Sequence, residues 1–306
     1  MKLKQFAQVI ELTKTGSFSQ AARNLYISQP NLSYSIKQLE DEIGYPLFTR
    51  TNDGVIPTVR ARDLIEHMMI IYREYCILQE LSQDPTKQHK ISLRVATMNL
   101  YRTIPYFSSI IKRYMKIPIN FSFMNYTSLD SIIDQVITCQ VDFALIGILS
   151  PYVKSVKTKL KNSRIEYHGF TTSPICALIG PRNPLYHIEE PIGVKDIFPF
   201  TLITYGNGNE DPSFSLAHAT GLDNDMFGRV HVNSSHLFHQ TIESTTAVGL
   251  VACRKEAFTK DNLWKELRIL QLKDCTINAE IGWIKLQRLP LTDIAAELLD
   301  TVKILF

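Results

Sequence analysis

Residues 17 to 50, SFSQAARNLYISQPNLSYSIKQLEDEIGYPLFTR, constrain this chain more than any other stretch. They read as two short helices, a tight turn and a wing. Ahead of them, Leu3, Phe6, Ala7 and Ile10 recur at helical spacing and predict a first helix that ends near Thr15-Gly16, where glycine accepts the left-handed conformation. Ser17 restarts the chain as an N-cap with Gln20 three residues on, a capping box, followed by an apolar face of Phe18, Ala21, Ala22 and Leu25. Small Ala21 and Ala22 let another helix come close. Ser28 then caps a third helix whose first turn tolerates Pro30, since amides there have no intrahelical partner to lose.

Leu32, Ile36 and Leu39 form the buried face of that third helix. Ser28, Gln29, Pro30, Asn31, Ser33, Tyr34 and Lys37 lie at its start or on the other faces, and their groups suit base edges and phosphates in a major groove. Leu47-Phe48, Arg50 and the turn signal Asn52-Asp53-Gly54 predict a short hairpin, with Arg50 near a sugar-phosphate backbone. A plain helical bundle shares the periodicity but does not require this order of caps, turn and basic wing.

Residues 1 to about 62 resemble the winged helix-turn-helix of the LysR-type transcriptional regulators. The resemblance rests on Phe6, Gly16-Ser17-Phe18, Ala21-Ala22, Leu25, Ser28-Gln29-Pro30, Leu32-Ser33, Ile36, Leu39-Glu40, Gly44, Leu47-Phe48 and Arg50. It implies DNA contact by Gln29, Pro30, Ser33, position 34 and Arg50. Tyr34 and Ser35 stand where the family often has Arg and Gln, so the bases preferred do not follow from the resemblance. Thr58-Val59-Arg60-Ala61 replaces the usual Thr-x-Ala-Gly before the next helix.

A chain of 306 residues is too long for one helix-turn-helix and allows two or three domains with their own cores. The net charge is +3, and residues 1 to 62 carry all of the excess, eight Lys or Arg against five Asp or Glu. Charge by itself is a weak sign of DNA binding; its location helps slightly. Cys76, Cys139, Cys176, Cys253 and Cys275 are odd in number and far apart, and they read as reduced core thiols of a cytoplasmic protein rather than a disulfide framework or a redox pair. The N-terminus lacks a secretory apolar stretch, and no window approaches eighteen apolar residues, so no membrane association is expected.

From about Thr58 to Ser82 there is no Gly or Pro, and Ala61, Leu64, Met68, Ile71, Tyr75 and Leu78 step by threes and fours, widened by Ile65 and Tyr72. The stripe either packs on the chain's own second domain or pairs with a second subunit. Pairing is preferred, because two-fold dimers reading inverted half-sites supply affinity that one recognition helix lacks. Asp84 to Lys90 reads as a polar hinge.

Beyond it, strands are predicted at 91-98, 119-124, 141-147, 165-171, 175-180, 200-204, 228-232, 247-253, 267-272 and 280-286, with a final helix from about Thr292 to Leu305. Alternation with helices means an α/β domain with mostly parallel sheets. The Lys-rich segment Lys154 to Arg164 reads as a solvated connection.

This part is similar, more loosely, to the LysR-type effector domain, which looks like a periplasmic binding protein of two Rossmann-like subdomains joined by two crossing strands. Ile104-Pro105, the strand Val141-Asp142-Phe143-Ala144-Leu145-Ile146 and the turn Asn183-Pro184-Leu185 carry the similarity. The expected organisation is an all-α winged helix-turn-helix over 1-58, a linker helix and hinge over 59-90, and an effector domain over 91-306. Within the last, subdomain I takes about 91-163 and 268-306, and subdomain II about 164-267.

Open sheets bind ligands beyond the carboxyl ends of their strands, where helix N-termini present free amides. The stretches Thr97 to Thr103, Asn125 to Ser128 and Thr204 to Asn207 are such places. They give Thr97, Asn99, Tyr101, Arg102, Thr127, Ser128, Thr204 and Tyr205 as effector-contact candidates, suited to a small polar or anionic molecule. For each Ser or Thr, an N-cap that never meets a ligand is an equal reading. Thr245, in Thr245-Thr246-Ala247-Val248-Gly249 where the family usually has glycines at 245 and 247, joins them because the resemblance places that loop at the cleft.

No G-x-S-x-G elbow, P-loop, G-x-G-x-x-G or H-E-x-x-H is present, so no catalytic residue and no cofactor are expected. His236 and His239, with His231 nearby, make a poor metal site without a Cys or carboxylate, and Asp223-Asn224-Asp225 reads as a turn. The resemblance implies a bacterial LysR-type regulator, probing an interrupted palindrome of double-stranded DNA as a dimer or homotetramer and addressing RNA polymerase. A solute-binding module or a ligand-independent DNA-binding repressor are the alternatives.

Overall fold

The computed structural model describes residues 1–51, 54–82, 91–98, 100, 103–188, 191–206, 214–222, 226–254, 266–287 and 289–303. Asn52-Asp53, the hinge Asp84 to Lys90, Asn99, Tyr101, Arg102, Asn207 and Asp223-Asn224-Asp225 lie outside them. The chain forms two compact units, one built on Met1–Ile91 and the other on Ser92–Val136 and Val141–Phe306.

The first unit begins with α1 (Leu3–Thr15), which ends on Gly16 at φ +62, its N–H donating to the Leu12 carbonyl. Then come α2 (Phe18–Asn24) and α3 (Gln29–Ile43). Ser17 Oγ accepts from the Gln20 N–H, as the spacing predicts, but only half of the expected box forms. The Gln20 amide is engaged along the helix instead, donating to Asn24 and accepting from Arg23. Ser28 Oγ caps α3 by accepting from the Asn31 N–H, and Pro30 sits in the first turn. Val9, Leu12, Ala21, Ala22, Leu32, Ile36, Leu39 and Leu47 are buried together, and α1 meets both α2 and α3.

The hairpin pairs β1 (Phe48–Thr51) with β2 (Gly54–Pro57) in the register Arg50↔Val55. It is tied to the turn after α1, because the Val55 N–H donates to the Gly16 carbonyl at 2.8 Å. Gly54, at φ +129, lies so close that an added Cβ would stand 2.7 Å from the Gly16 oxygen. Thr58 accepts the Ala61 N–H and donates to the Pro46 carbonyl, so α4 (Arg62–Ser82) starts at once despite the altered sequence before it.

The apolar stripe on α4 divides. Ala61, Ile65 and Met68 are buried, and α4 lies against α1; Ile71 and Leu78 further along are 50% and 62% exposed. Its first turns therefore belong to the head's own core.

The second unit holds a nine-stranded sheet in the order β4-β3-β5-β11-β6-β9-β7-β8, with β10 paired to β6. Its strands are β3 (Ile91–Met98), β4 (Ile119–Tyr126), β5 (Phe143–Leu149), β6 (Ile165–Ile179), β7 (Thr201–Tyr205), β8 (Gly228–Val232), β9 (Val248–Ala252), β10 (Arg268–Gln271) and β11 (Asn278–Leu286). Its helices are α5 (Ile104–Tyr114), α6 (Leu129–Ile137), α7 (Val153–Asn162), α8 (Leu216–Ala219), α9 (Ser235–Ser244) and a last one, α10 (Asp293–Lys303).

Three expectations change. The strands expected at 165-171 and 175-180 are the single strand β6. Pro174, which suggested a break, sits where β6 changes partner, from β11 at Asn278↔Pro174 to β9 at Ile175↔Ala252, so its missing N–H costs little. The sheet is mixed rather than mostly parallel. β3 with β5, and β7 with β8 and β9, are parallel, while β6 and β11 run antiparallel to each other and to their outer partners, because the chain crosses between halves in both directions. β10 pairs with residues 176 to 179 at the far end of β6, while β11 pairs with β6 from Ile165 to Pro174. The Lys-rich segment is α7, which buries Val156 and Leu160 and sends Lys157 to Glu280 at 2.7 Å.

Alternation along β6 shows how both faces of its far half are covered. Ile175, Ala177 and Ile179 join one apolar cluster, with Leu202, Val248 and Leu270, while Cys176 and Leu178 join another, with Phe238, Ile242 and Cys253.

Candidate nucleic-acid interface

Gln29, Pro30, Asn31, Tyr34 and Lys37 on α3 are exposed, as are Ser28 and, on β1, Arg50; Ser33 is half-buried. Ser33, Lys37, Asp41, Thr49 and Arg50 line one groove of about 670 Å³ between α3 and the wing. That juxtaposition comes from Glu40, which sequence reading passed over as a motif letter. Its Oε1 accepts from the N–H groups of Leu47 at 2.7 Å and Phe48 at 3.2 Å, clamping the start of the wing to the last turns of α3.

Other contacts orient the reading face. Ser19 donates to Gln29 Oε1 at 2.8 Å, tying α2 to the first residue of α3. Ser35 turns the opposite way, donating to Gln8 Oε1 while Gln5 reaches the Ser35 carbonyl, so this residue joins α3 to α1 rather than to a groove. Tyr26, in the turn between α2 and α3, takes φ +55 with its side chain 96% exposed. A left-handed tyrosine costs about 1 kcal/mol, which the contacts of the turn, such as the Ile27 N–H to the Ala22 carbonyl, offset.

In the second unit, Thr97, Asn125 and Tyr205 come together at the carboxyl ends of β3, β4 and β7. Thr97 Oγ1 donates to Asn125 Oδ1 at 3.0 Å, and Asn125 Nδ2 donates to the Tyr205 hydroxyl at 3.4 Å. Half-burial of Tyr205 pushes its hydroxyl pKa up, against the smaller opposing effect of Asn125, so it stays a neutral phenol. Asn125 is a contact the sequence marked only as the start of a stretch.

Thr204, one residue earlier on β7, faces the other side of the strand and bonds His231 Nδ1 at 2.6 Å on β8. Ser128 acts as a cap, accepting from the Ser131 N–H at 3.5 Å, and Thr127 beside it is half-buried. The Thr245 hydroxyl closes α9, donating to the Thr241 carbonyl and accepting from the Ala247 N–H. Asn183, 1% exposed, donates to the Thr246 carbonyl and holds that loop in place.

His239 is a core residue. It is 1% exposed, and its Nδ1–H donates to the Ser235 carbonyl at 2.6 Å. Burial pulls its pKa down to about 4, with the bond to Ser235 opposing and nearby His236 adding to the fall. The folded site thus keeps the imidazole neutral while the unfolded chain takes up a proton below its ordinary value of 6.5. Stability should therefore fall as the pH drops from about 6.5 toward 4, by about 2–3 kcal/mol from this group. Urea unfolding at pH 7 and pH 4.5 checks this: His239→Asn, which keeps a donor toward Ser235, should lose clearly less stability than the parent, and equal losses would disprove the assignment.

No group of three or more His, Cys, Asp or Glu that could hold a metal exists among the described residues. None of the five cysteines forms a disulfide; Cys139, Cys176 and Cys253 are buried, with Cys176 donating weakly to the Cys253 carbonyl. No described helix is long and apolar enough to cross a membrane.

A capped helix pair with a polar outer face and a clamped wing has the geometry of a winged helix-turn-helix. Residues 3–62 match the family described as bacterial regulatory helix-turn-helix protein, lysR family. Among curated proteins it is similar to the RuBisCO operon transcriptional regulator of Allochromatium vinosum, 26% identical over 190 residues, 60% of this chain and 58% of that one. It is also similar to the uncharacterized HTH-type transcriptional regulator YcgK of Bacillus subtilis, 33% identical over 117 residues, 37% of this chain and 36% of that one. The chain thus spans little more than half the length of the first relative and about a third of the second. Among solved structures, a cysteine-to-aspartate variant of full-length OxyR from Pseudomonas aeruginosa aligns over 99% of this chain and 95% of its own with a TM-score of 0.54 at 16% identity, a likeness of fold.

Proposed function

We propose that the protein is a DNA-binding transcriptional regulator, without enzymatic activity, whose second unit binds a small polar effector where β3, β4 and β7 end. The observation that carries this is α3. It is capped by Ser28, buried along Leu32, Ile36 and Leu39, and exposes polar side chains beside a wing that presents Arg50. Ser28, Gln29, Pro30, Asn31, Ser33, Tyr34, Lys37 and Arg50 are the proposed DNA contacts.

Thr97 and Tyr205 are the leading effector contacts, joined by Asn125. Their hydrogen-bond chain links the two halves of the sheet, so a ligand that inserts there would replace those bonds and change closure. Such a ligand alters transcription only to the extent that it binds one state of the assembly better than another. Ser128 and Thr204 are secondary candidates because each already has a structural partner, half-buried Thr127 stands with them, and Thr245 is weaker still.

The organisation we propose is a head to residue 58, a linker over 59-90 and an effector domain from 91. The operator is an interrupted palindrome bound by a dimer through α4, where exposed Ile71 and Leu78 support the pairing, and by a tetramer on the longer site. Action on RNA polymerase in the cytoplasm completes the reading.

Selection from random duplex DNA at about 150 mM salt, where phosphate-only binding is partly suppressed, tests it. An enriched inverted repeat is expected. Failure to enrich any sequence, with folded protein and in the presence of metabolite pools, would overturn it.

A further inference from the structure

On the reading of α3 as the recognition helix, we infer that Gln38 reads a single adenine in the major groove, with Tyr34 as the positioning residue that holds its carboxamide. Gln38 is not among the candidates read from the sequence. On α3 the core side is set by Leu32, Ile36 and Leu39, and Tyr34, Lys37 and Gln38 are all exposed away from it, Tyr34 at 66%. Tyr34 and Gln38 are one turn apart and lie on one face. Gln38 Nε2 donates to the Tyr34 hydroxyl at 3.0 Å.

That bond has a chemical consequence. One amide N–H is engaged by the tyrosine oxygen, so the carboxamide presents one remaining N–H and Oε1, a single donor beside a single acceptor. Adenine offers the complement in the major groove, N7 as acceptor and N6–H as donor. Guanine offers two acceptors, N7 and O6, and would set O6 against Oε1 with no proton between them. Thymine offers one acceptor and a methyl group, and cytosine one donor, so neither takes both bonds.

Orientation matters because a free glutamine loses rotamer freedom when it is ordered on DNA. Here the ordering is already made in the unbound protein by a tyrosine with only two rotatable bonds. The pair is uncharged and adjacent to Lys37, so phosphate attraction and base reading fall to different side chains.

The test is base preference, position by position, from selection with the full-length protein and with Gln38→Ala, Gln38→Glu and Tyr34→Phe. The parent should favour adenine at one position of each half-site by about 10- to 100-fold. Gln38→Ala should flatten that position to within about threefold and leave the others unchanged. Gln38→Glu, now acceptor-only, should move the preference there toward cytosine, whose N4 donates. Tyr34→Phe should weaken the adenine preference without changing the salt dependence of binding, since no phosphate contact is removed. Both side chains are in water, so helicity by circular dichroism should match the parent in every variant.

An unchanged Gln38→Ala profile would overturn the inference while leaving the recognition helix intact, and so would a uniform loss across all positions. A parent that selects no sequence at all would instead remove the recognition-helix reading, and this inference with it.

Discussion

Replacing Ser33 and Lys37 together with alanine is expected to weaken binding to the selected operator by at least about 100-fold, because a base contact worth about 1–3 kcal/mol and a phosphate contact are both removed and a dimer loses each twice. Both side chains line the groove shared by α3 and the wing, with Arg50 on the opposite wall. Neither supports the head: Lys37 is exposed, Ser33 is only half-buried, and the core of α3 is Leu32, Ile36 and Leu39. Alanine is also the better helix former, so the fold should not weaken. Helicity of the full chain and its urea unfolding should match the parent while operator affinity collapses. Retained affinity would move the reading face elsewhere on α3.

Gly180→Ala is expected to cause a large loss of stability. Gly180 follows β6, and an added Cβ would meet the backbone of α9, overlapping the Ile242 carbonyl oxygen and standing 2.8 Å from Glu243 Cα and 2.9 Å from the Ile242 carbonyl carbon. Backbone cannot yield as a flexible side chain can. To make room α9 must shift, and α9 carries Phe238 and Ile242 into the apolar cluster beside Cys176 and Leu178. Overpacking a filled core costs about 1–3 kcal/mol, and a backbone clash belongs at or above the top of that range. Gly147→Ala is the control, since its Cβ would make ordinary contacts at 3.7 Å and 3.9 Å with Leu100 and Ile281 side chains. The first unit has no tryptophan and Trp283 lies on β11, so fluorescence-detected urea unfolding reports the domain concerned. Equal midpoints for the two variants would show that α9 is free to move.

The head was legible because each of its devices is local. Gly16 as a left-handed stop, Ser17 and Ser28 as caps, Pro30 in a first turn and the apolar spacing of Leu32, Ile36 and Leu39 all act within a few residues, and all appear in the structure as the spacing predicts. Errors began where a residue had two uses. Gln20 could complete a capping box or bond along its helix, and it does the second. Pro174 reads locally as a strand break, and only the switch of β6 from β11 to β9 makes it harmless.

The candidate effector residues separated for the same reason. Thr97, Thr204, Ser128 and Thr245 carry the same hydroxyl, and nothing nearby in sequence distinguishes a cap from a contact. Tertiary structure does, by closing α9 with Thr245, capping α6 with Ser128, turning Thr204 toward His231 and aligning Thr97 with Asn125 and Tyr205. Glu40 makes the same point in the head, since its partners Leu47 and Phe48 lie beyond the end of its own helix.

By itself, then, the sequence determined the winged helix-turn-helix head, its three helices and its wing, together with the alternation of strands and helices that follows. Those features arise from backbone preference and the periodicity of apolar burial, which act over one or two turns. Only the tertiary structure decided how the crossing strands make the sheet mixed and which side chains Thr97, Asn125 and Thr204 meet, because those partners lie tens to more than a hundred residues away.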